Sequence, residues 1–239
     1  MLEIEENFQV LQGAEYAKTF GIGDPRPLAK KYPYTHGLPK KECLDAIGMG
    51  DSIHVWLHRP DETVGKEAWF EVLSVTPDYI EARIKKTAYG WPDPASDVVL
   101  RFPKWVVAAV NFGDPKHQPL AELPQEKYRD WCLMDSAIRV SGCKVQHIFR
   151  EEPKILDEDD PSYDTGWRLS AASNPLWDTQ VDFRPLSFAL DCDDSWLNYI
   201  DEPVGSAFKR DQKTGLFLPD QAPRRSFTRE MPEKWWDEL

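Results

Sequence analysis

The chain is poor in the features that announce chemistry. It has four cysteines in 239 residues, Cys43, Cys132, Cys143 and Cys192, and no two of them form a CxxC pair. That argues against a disulfide framework or a paired-thiol zinc site, and the four read as reduced core thiols, Cys143 included. No apolar run approaches the ~18 residues that a membrane-spanning helix requires. The opening Met1-Leu2-Glu3-Ile4-Glu5-Glu6 is acidic where a signal peptide would be basic, which predicts a cytoplasmic protein. There is no GxSxG elbow, no phosphate-cradling glycine loop and no HExxH. His54 and His58 share a strand face, but at ~3.3 Å per residue they lie roughly 13 Å apart, too far to grip one ion together. Asp157–Asp160 and Asp191-x-Asp193-Asp194 lack the glycine that turns a calcium loop at its sixth position. His147 follows Cys143 by four residues, too long a reach along a strand for proton transfer. The expectation is no catalytic residue, no metal and no cofactor.

What the chain does have is apolar content and a lopsided charge. Hydrophobic residues make up 41% and there are ten Trp, enough to bury a core and to exclude disorder as the main state. The net charge is -12, and it is concentrated. Between Glu151 and Glu202 stand 14 acids and only Lys154, Arg168 and Arg184 as bases, so this stretch alone carries -11. Such a field repels nucleic acid and anionic membranes, and it favours encounter with a basic protein partner.

Periodicity divides the chain into four parts. Residues 1–45 read as an N-terminal helix, with Ile4, Phe8 and Leu11 at helical spacing, followed by a segment from Asp24 to Pro39 too proline-rich for regular structure. A short helix is expected over 40–47. Residues 46–113 read as β-rich: Ile53, Val55 and Leu57 alternate with His54, Trp56 and His58, runs follow at 68–75, 80–84, 98–102 and 105–110, and turn signals lie between them. That pattern predicts a small antiparallel sheet or half-barrel. Prolines 115, 119 and 124 mark a linker. Residues 129–220 mix helices and strands without a βαβ rhythm, which predicts α+β. A helix near 125–133 opens this part, followed by strands at 144–150, 166–169 and 204–209, and a helix carrying Trp196, Leu197 and Ile200 behind an acidic cap. Residues 221–239 form a C-terminal tail.

Three separated blocks in this second half resemble the Imm33-like immunity proteins of bacterial polymorphic toxin systems. They are Phe149-Arg150-Glu151-Glu152-Pro153, Asp164-Thr165-Gly166-Trp167-Arg168, and Pro203-Val204-Gly205-Ser206-Ala207-Phe208-Lys209-Arg210-Asp211. The likeness spans roughly Asp135 to Asp220 and departs from the family between Leu169 and Leu186, where Asn174-Pro175-Leu176-Trp177 replaces an acidic stretch. Gly50-Asp51-Ser52-Ile53-His54-Val55, Glu67-Ala68-Trp69-Phe70-Glu71-Val72 and Phe102-Pro103-Lys104-Trp105-Val106-Val107 are similar to a second small bacterial β-domain found beside toxin and immunity genes.

The resemblance implies a non-enzymatic immunity protein that binds a cognate toxin acting in the cytosol. The toxin-binding patch is expected at Glu151, Glu152, Asp157, Glu158, Asp159, Asp160, Asp164, Trp177, Asp193 and Asp194, with Trp177 or Trp196 as aromatic anchors if exposed. Arg150, Gly166, Trp167, Pro203, Gly205 and Phe208 are expected to be architectural. Two other readings stay open: a hydrolase or other enzyme acting on a small molecule or on the toxin's product, and an adaptor.

Overall fold

The computed structural model describes residues 3–5, 9–12, 21–58, 66–87, 98–153, 163–172 and 180–221. They fall into two compact units, Met1–Tyr128 and Arg129–Leu239. The architecture is α+β and rich in strands. No helix among the described residues is long and apolar enough to cross a membrane.

The first unit is a curled antiparallel half-barrel. Its strands are β1 (Glu3–Glu5), β2 (Gln9–Gln12), β3 (Gly21–Asp24), β4 (Ser52–His58), β5 (Lys66–Val75), β6 (Tyr79–Thr87), β7 (Val99–Pro103) and β8 (Val107–Asn111). They run in the order β1-β3-β4-β5-β6-β7-β2, and β8 pairs with β4 as well. One edge of β4 carries β5. The other is shared, with β8 opposite Ser52–Val55 and β3 opposite Leu57 and His58. The alternation read from the sequence sends Ile53, Val55 and Leu57 into a core with Phe70, Ile80, Ala82, Leu100 and Phe102, all fully buried. The β5–β6 hairpin closes where the Tyr79 amide donates to the Thr76 hydroxyl at 3.0 Å. Register shifts along β5, between Trp69 and Phe70 and between Val72 and Ser74, add the bend that curls the sheet.

Three expectations for this unit are corrected. The helix expected over residues 3–20 is replaced, where residues are described, by β1 and β2, which pair with β3 and β7. A three-residue spacing over so few apolar positions specifies a face weakly, and long-range pairing overrides it. The proline-rich segment contains helix α1 (Arg26–Lys31), which starts after Pro25 and tolerates Pro27 in its first turn, where no backbone donor is needed. The run expected over 105–110 starts in a 3-10 turn, Lys104–Val106, and only from Val107 continues as β8. The short helix expected at 40–47 is α2 (Lys41–Ala46), which seats Cys43 in the core.

The second unit is a six-stranded sheet in the order β12-β9-β11-β10-β13-β14. Its strands are β9 (Trp131–Asp135), β10 (His147–Arg150), β11 (Asp164–Ser170), β12 (Val181–Pro185), β13 (Ala207–Arg210) and β14 (Phe217–Pro219). Among the described residues, β9 and β11 are the only strands of this sheet that pair in parallel. Trp167 and Trp196 are fully buried, their ring centroids 5.9 Å apart, so Trp196 is a core residue and not an exposed anchor. Beside the sheet lie α4 (Ser136–Val140), capped by the Asp135 carboxylate, and α5 (Leu186–Cys192); α3 (Pro124–Lys127) closes the first unit.

The helix expected over 125–133 stops at Lys127, and Trp131–Asp135 form the inner strand β9. The helix expected around Trp196 is a single 3-10 turn, Leu197–Tyr199; the longer helix is α5, whose Leu186, Ala189 and Leu190 face the core. Cys143 is exposed, contrary to the expected buried thiol, whereas Cys43 and Cys132 are buried.

Candidate functional site

In the second unit, the chain leaves the sheet at Glu151 and re-enters it at Asp164. Between them the sequence carries five acids and one base. Arg168, buried on β11, holds both ends. Its Nη1 and Nη2 donate to the two Asp164 oxygens at 2.9 and 2.8 Å, and its Nε donates to Glu151 Oε2 at 2.9 Å. This bidentate geometry is the arrangement a planar guanidinium favours.

Two backbone features let the ends meet. Gly166 sits at φ +81°, and a Cβ there would lie 2.1 Å from the Glu151 carbonyl oxygen. The Glu151 amide donates to the Gly166 carbonyl at 2.9 Å. On the other side of β10, Arg150 Nη1 donates to the Glu202 carbonyl, and the Gly205 amide donates to the Arg150 carbonyl at 2.8 Å. The turn at 201–205 therefore stands beside these stems, with Asp201 and Val204 exposed.

Asp193 belongs elsewhere. It is buried, accepts from the Val145 amide at 2.9 Å and pairs with Arg210 at 2.8 Å. Val145 precedes β10 and Glu151 follows it, so at ~3.3 Å per residue the two acidic groups are separated by roughly 20 Å of strand. The expected patch is thus not one surface. Glu151 and Asp164 are engaged by Arg168, Glu152 is exposed beside them, and Asp193 and Asp194 lie at the opposite end of β10. Asp157, Glu158, Asp159, Asp160 and Trp177 lie outside the described residues.

The first unit carries a cleft of about 230 Å³ on the outer face of the half-barrel. Its floor follows from register. His54 on β4 pairs with Trp69 on β5 and Ala109 on β8, and Trp56 pairs with Glu67. The aromatic rings form a chain: Trp69 to His54 at 5.4 Å, His54 to Trp56 at 5.3 Å, and Trp56 to His36 at 6.2 Å. Ala109 opposite His54 leaves the volume open.

Two lips cover this face, the segment 25–38 and residues 123–126, most of which belong to α3. They are tied where Gln125 accepts from the Gly37 amide at 3.1 Å and donates to its carbonyl at 3.4 Å. A Cβ at Gly37 would meet Pro124 at 2.5 Å, so glycine allows the close approach. His54 is 7% exposed, its Nε2 has no hydrogen-bond partner, and burial pushes its pKa down to about 4. It is neutral at physiological pH. The sequence singles out His54 only as a possible metal ligand; the signal for the cleft was Trp56, Glu67 and Trp69 on strands expected to pair. Among the described residues, no group of three His, Cys, Asp or Glu side chains is placed to hold a metal ion.

No family model, curated protein or solved structure matches the chain.

Proposed function

We propose that the protein is an immunity protein: a stoichiometric inhibitor that binds a cognate bacterial toxin acting in the cytosol, with a contact surface at the end of the second sheet where β10 stops and β11 begins. The observation that carries this reading is the Arg168 clamp. It pairs Glu151 and Asp164, which flank the most acidic stretch of the chain, so these two carboxylates are structural, and the sequence between them adds five acids against one base.

The resemblance of residues 135–220 to Imm33-like proteins supports the same reading, as does the -11 carried by residues 151–202. The surface would take in Glu152, Asp157–Asp160, Asp201 and Glu202, with exposed Tyr163 and Val204 as its apolar component. Asp193 and Asp194 fall outside it. Charge of this density speeds encounter with a basic toxin, and the buried contacts set the residence time.

The test is stoichiometry. The protein, mixed with a toxin encoded beside it, should co-elute with it one to one and protect only near equimolar amounts. Protection at trace amounts would show turnover and sink the reading in favour of an enzyme.

A further inference from the structure

The cleft of the first unit has a chemistry that the immunity reading does not use. Its lining combines four aromatic rings, those of His36, His54, Trp56 and Trp69, with the carboxylates of Glu67 and Glu126, both on exposed residues. Neither the Glu67 nor the Glu126 carboxylate makes an ion pair or hydrogen bond with another described residue, and among the described residues no Lys or Arg lines the cleft. Its side-chain amide, Gln125, is already spent on Gly37. The charged groups of the lining are therefore carboxylates, set beside π systems, and its net charge is negative. Nine-tenths buried His54, with Nε2 unpartnered, marks the floor as a place where the fold tolerates an unsatisfied polar atom.

We propose that this cleft binds an organic cation, an alkylammonium or guanidinium group, seated against the Trp56 and Trp69 rings with Glu67 and Glu126 at its rim. A cation is attracted to the negative face of an indole and to a carboxylate alike, whereas a neutral guest of the same shape gains only the packing. A sugar would also stack on the indoles and donate its hydroxyls to the two carboxylates. As a neutral guest, however, it gains nothing from the net negative charge of the lining, so the glucoside control separates the two. The lips are tied by Gln125 and Gly37, so the site exists before the ligand arrives.

Two sources could supply such a group: a free amine or guanidine, or a lysine or arginine side chain on another protein. The experiment uses the full chain and follows the Trp56 and Trp69 indole N–H resonances, together with calorimetry. The probes are butylammonium, tetramethylammonium and ethylguanidinium as free cations, and N-acetyl-lysine and N-acetyl-arginine methylamides as chain-borne ones. Butanol, N-ethylurea and methyl glucoside serve as neutral controls. Cations should bind saturably and shift both indole signals, with neutral probes at least about tenfold weaker. Tighter binding of the acetylated amino-acid amides assigns the site to a protein side chain; tighter binding of the simple cations assigns it to a free ligand.

Trp56→Leu and Trp69→Leu should each weaken binding by about threefold to thirtyfold. Glu67→Gln with Glu126→Gln, both at exposed positions, should weaken it and reduce its salt dependence without disturbing the fold. Equal affinity for neutral and cationic probes, preference for the glucoside, no saturable binding of any cation, or indifference to the paired glutamate substitutions would overturn the proposal. The site lies wholly in the first unit, so its failure leaves the stoichiometry test of the second unit untouched.

Discussion

Gly166 and Glu151 approach so closely that a β-carbon on the first would overlap the carbonyl oxygen of the second, at 2.1 Å. The two ends of the acidic stretch can meet only because position 166 has no side chain and adopts a positive φ. Gly166→Ala must strain the backbone and push Glu151 away, at an expected cost of about 2–5 kcal/mol. Gly205 has the same kind of φ but open space around its missing Cβ, so Gly205→Ala should cost only about 1–2 kcal/mol. Denaturant unfolding of the two variants tests the difference; equal losses would mean that the contact with Glu151 is unimportant.

Arg168 is fully buried with Asp164, itself 2% exposed. Replacing it by Leu leaves a buried carboxylate without its counter-charge, and about 3–5 kcal/mol of stability should be lost. Arg168→Leu combined with Asp164→Leu should recover most of that loss, which a double-mutant cycle will report.

His54 takes up a proton near pH 4 in the folded protein, because burial disfavours the charged ring, against about 6.5 when unfolded. The unfolded chain therefore binds more protons between these values. The His54 contribution is fully present above pH 6.5 and is lost as the pH falls toward 4, by on the order of 3 kcal/mol. His147, also lowered chiefly by burial, adds in the same direction. Unfolding midpoints from pH 7 to 4.5 should fall less steeply in His54→Phe than in the wild-type chain. Parallel slopes would contradict a neutral buried imidazole.

Under the proposed function, changing Asp157, Glu158, Asp159 and Asp160 to Lys should slow association with the toxin and flatten its dependence on salt. Asp194→Lys, at the far end of β10, should leave the association rate nearly unchanged. Stopped-flow rates across ionic strength separate the two; an effect at Asp194 alone would place the contact elsewhere.

Thiol reactivity should follow burial. Cys143 is exposed, whereas burial pushes the Cys43 thiol up to about 11 and raises that of Cys132 further still. Alkylation of the native protein followed by mass spectrometry should mark Cys143 first, with Cys43 and Cys132 reacting only on unfolding.

The β4–β5–β6 core was legible in the sequence because alternation at period two, bounded by turn residues such as Thr76-Pro77-Asp78, specifies which side chains share a face. The short helix α2 and the strand through Gly166-Trp167 were also legible, as short segments bounded by turn and stop residues and not by alternation. It was not legible that β9 is an inner strand. Trp131-Cys132-Leu133-Met134 is a continuous apolar run, so although burial alternates along β9 in the fold, the residue types carry no alternation that would identify a strand. The N-terminal strands were missed because a few apolar residues fit either period, and only pairing with β3 and β7 decides between them. The candidate sites divide in the same way. Composition alone located the acidic stretch, and the resemblance singled out Gly166 beside it. That Arg168 would gather its two ends, that Asp193 would fall at the other end of the strand, and that His54 would meet Trp69 beneath a lip tied by Gln125 were settled by tertiary structure. Local sequence determines which face of an element is apolar, while the partner of that face depends on contacts between residues far apart in the chain.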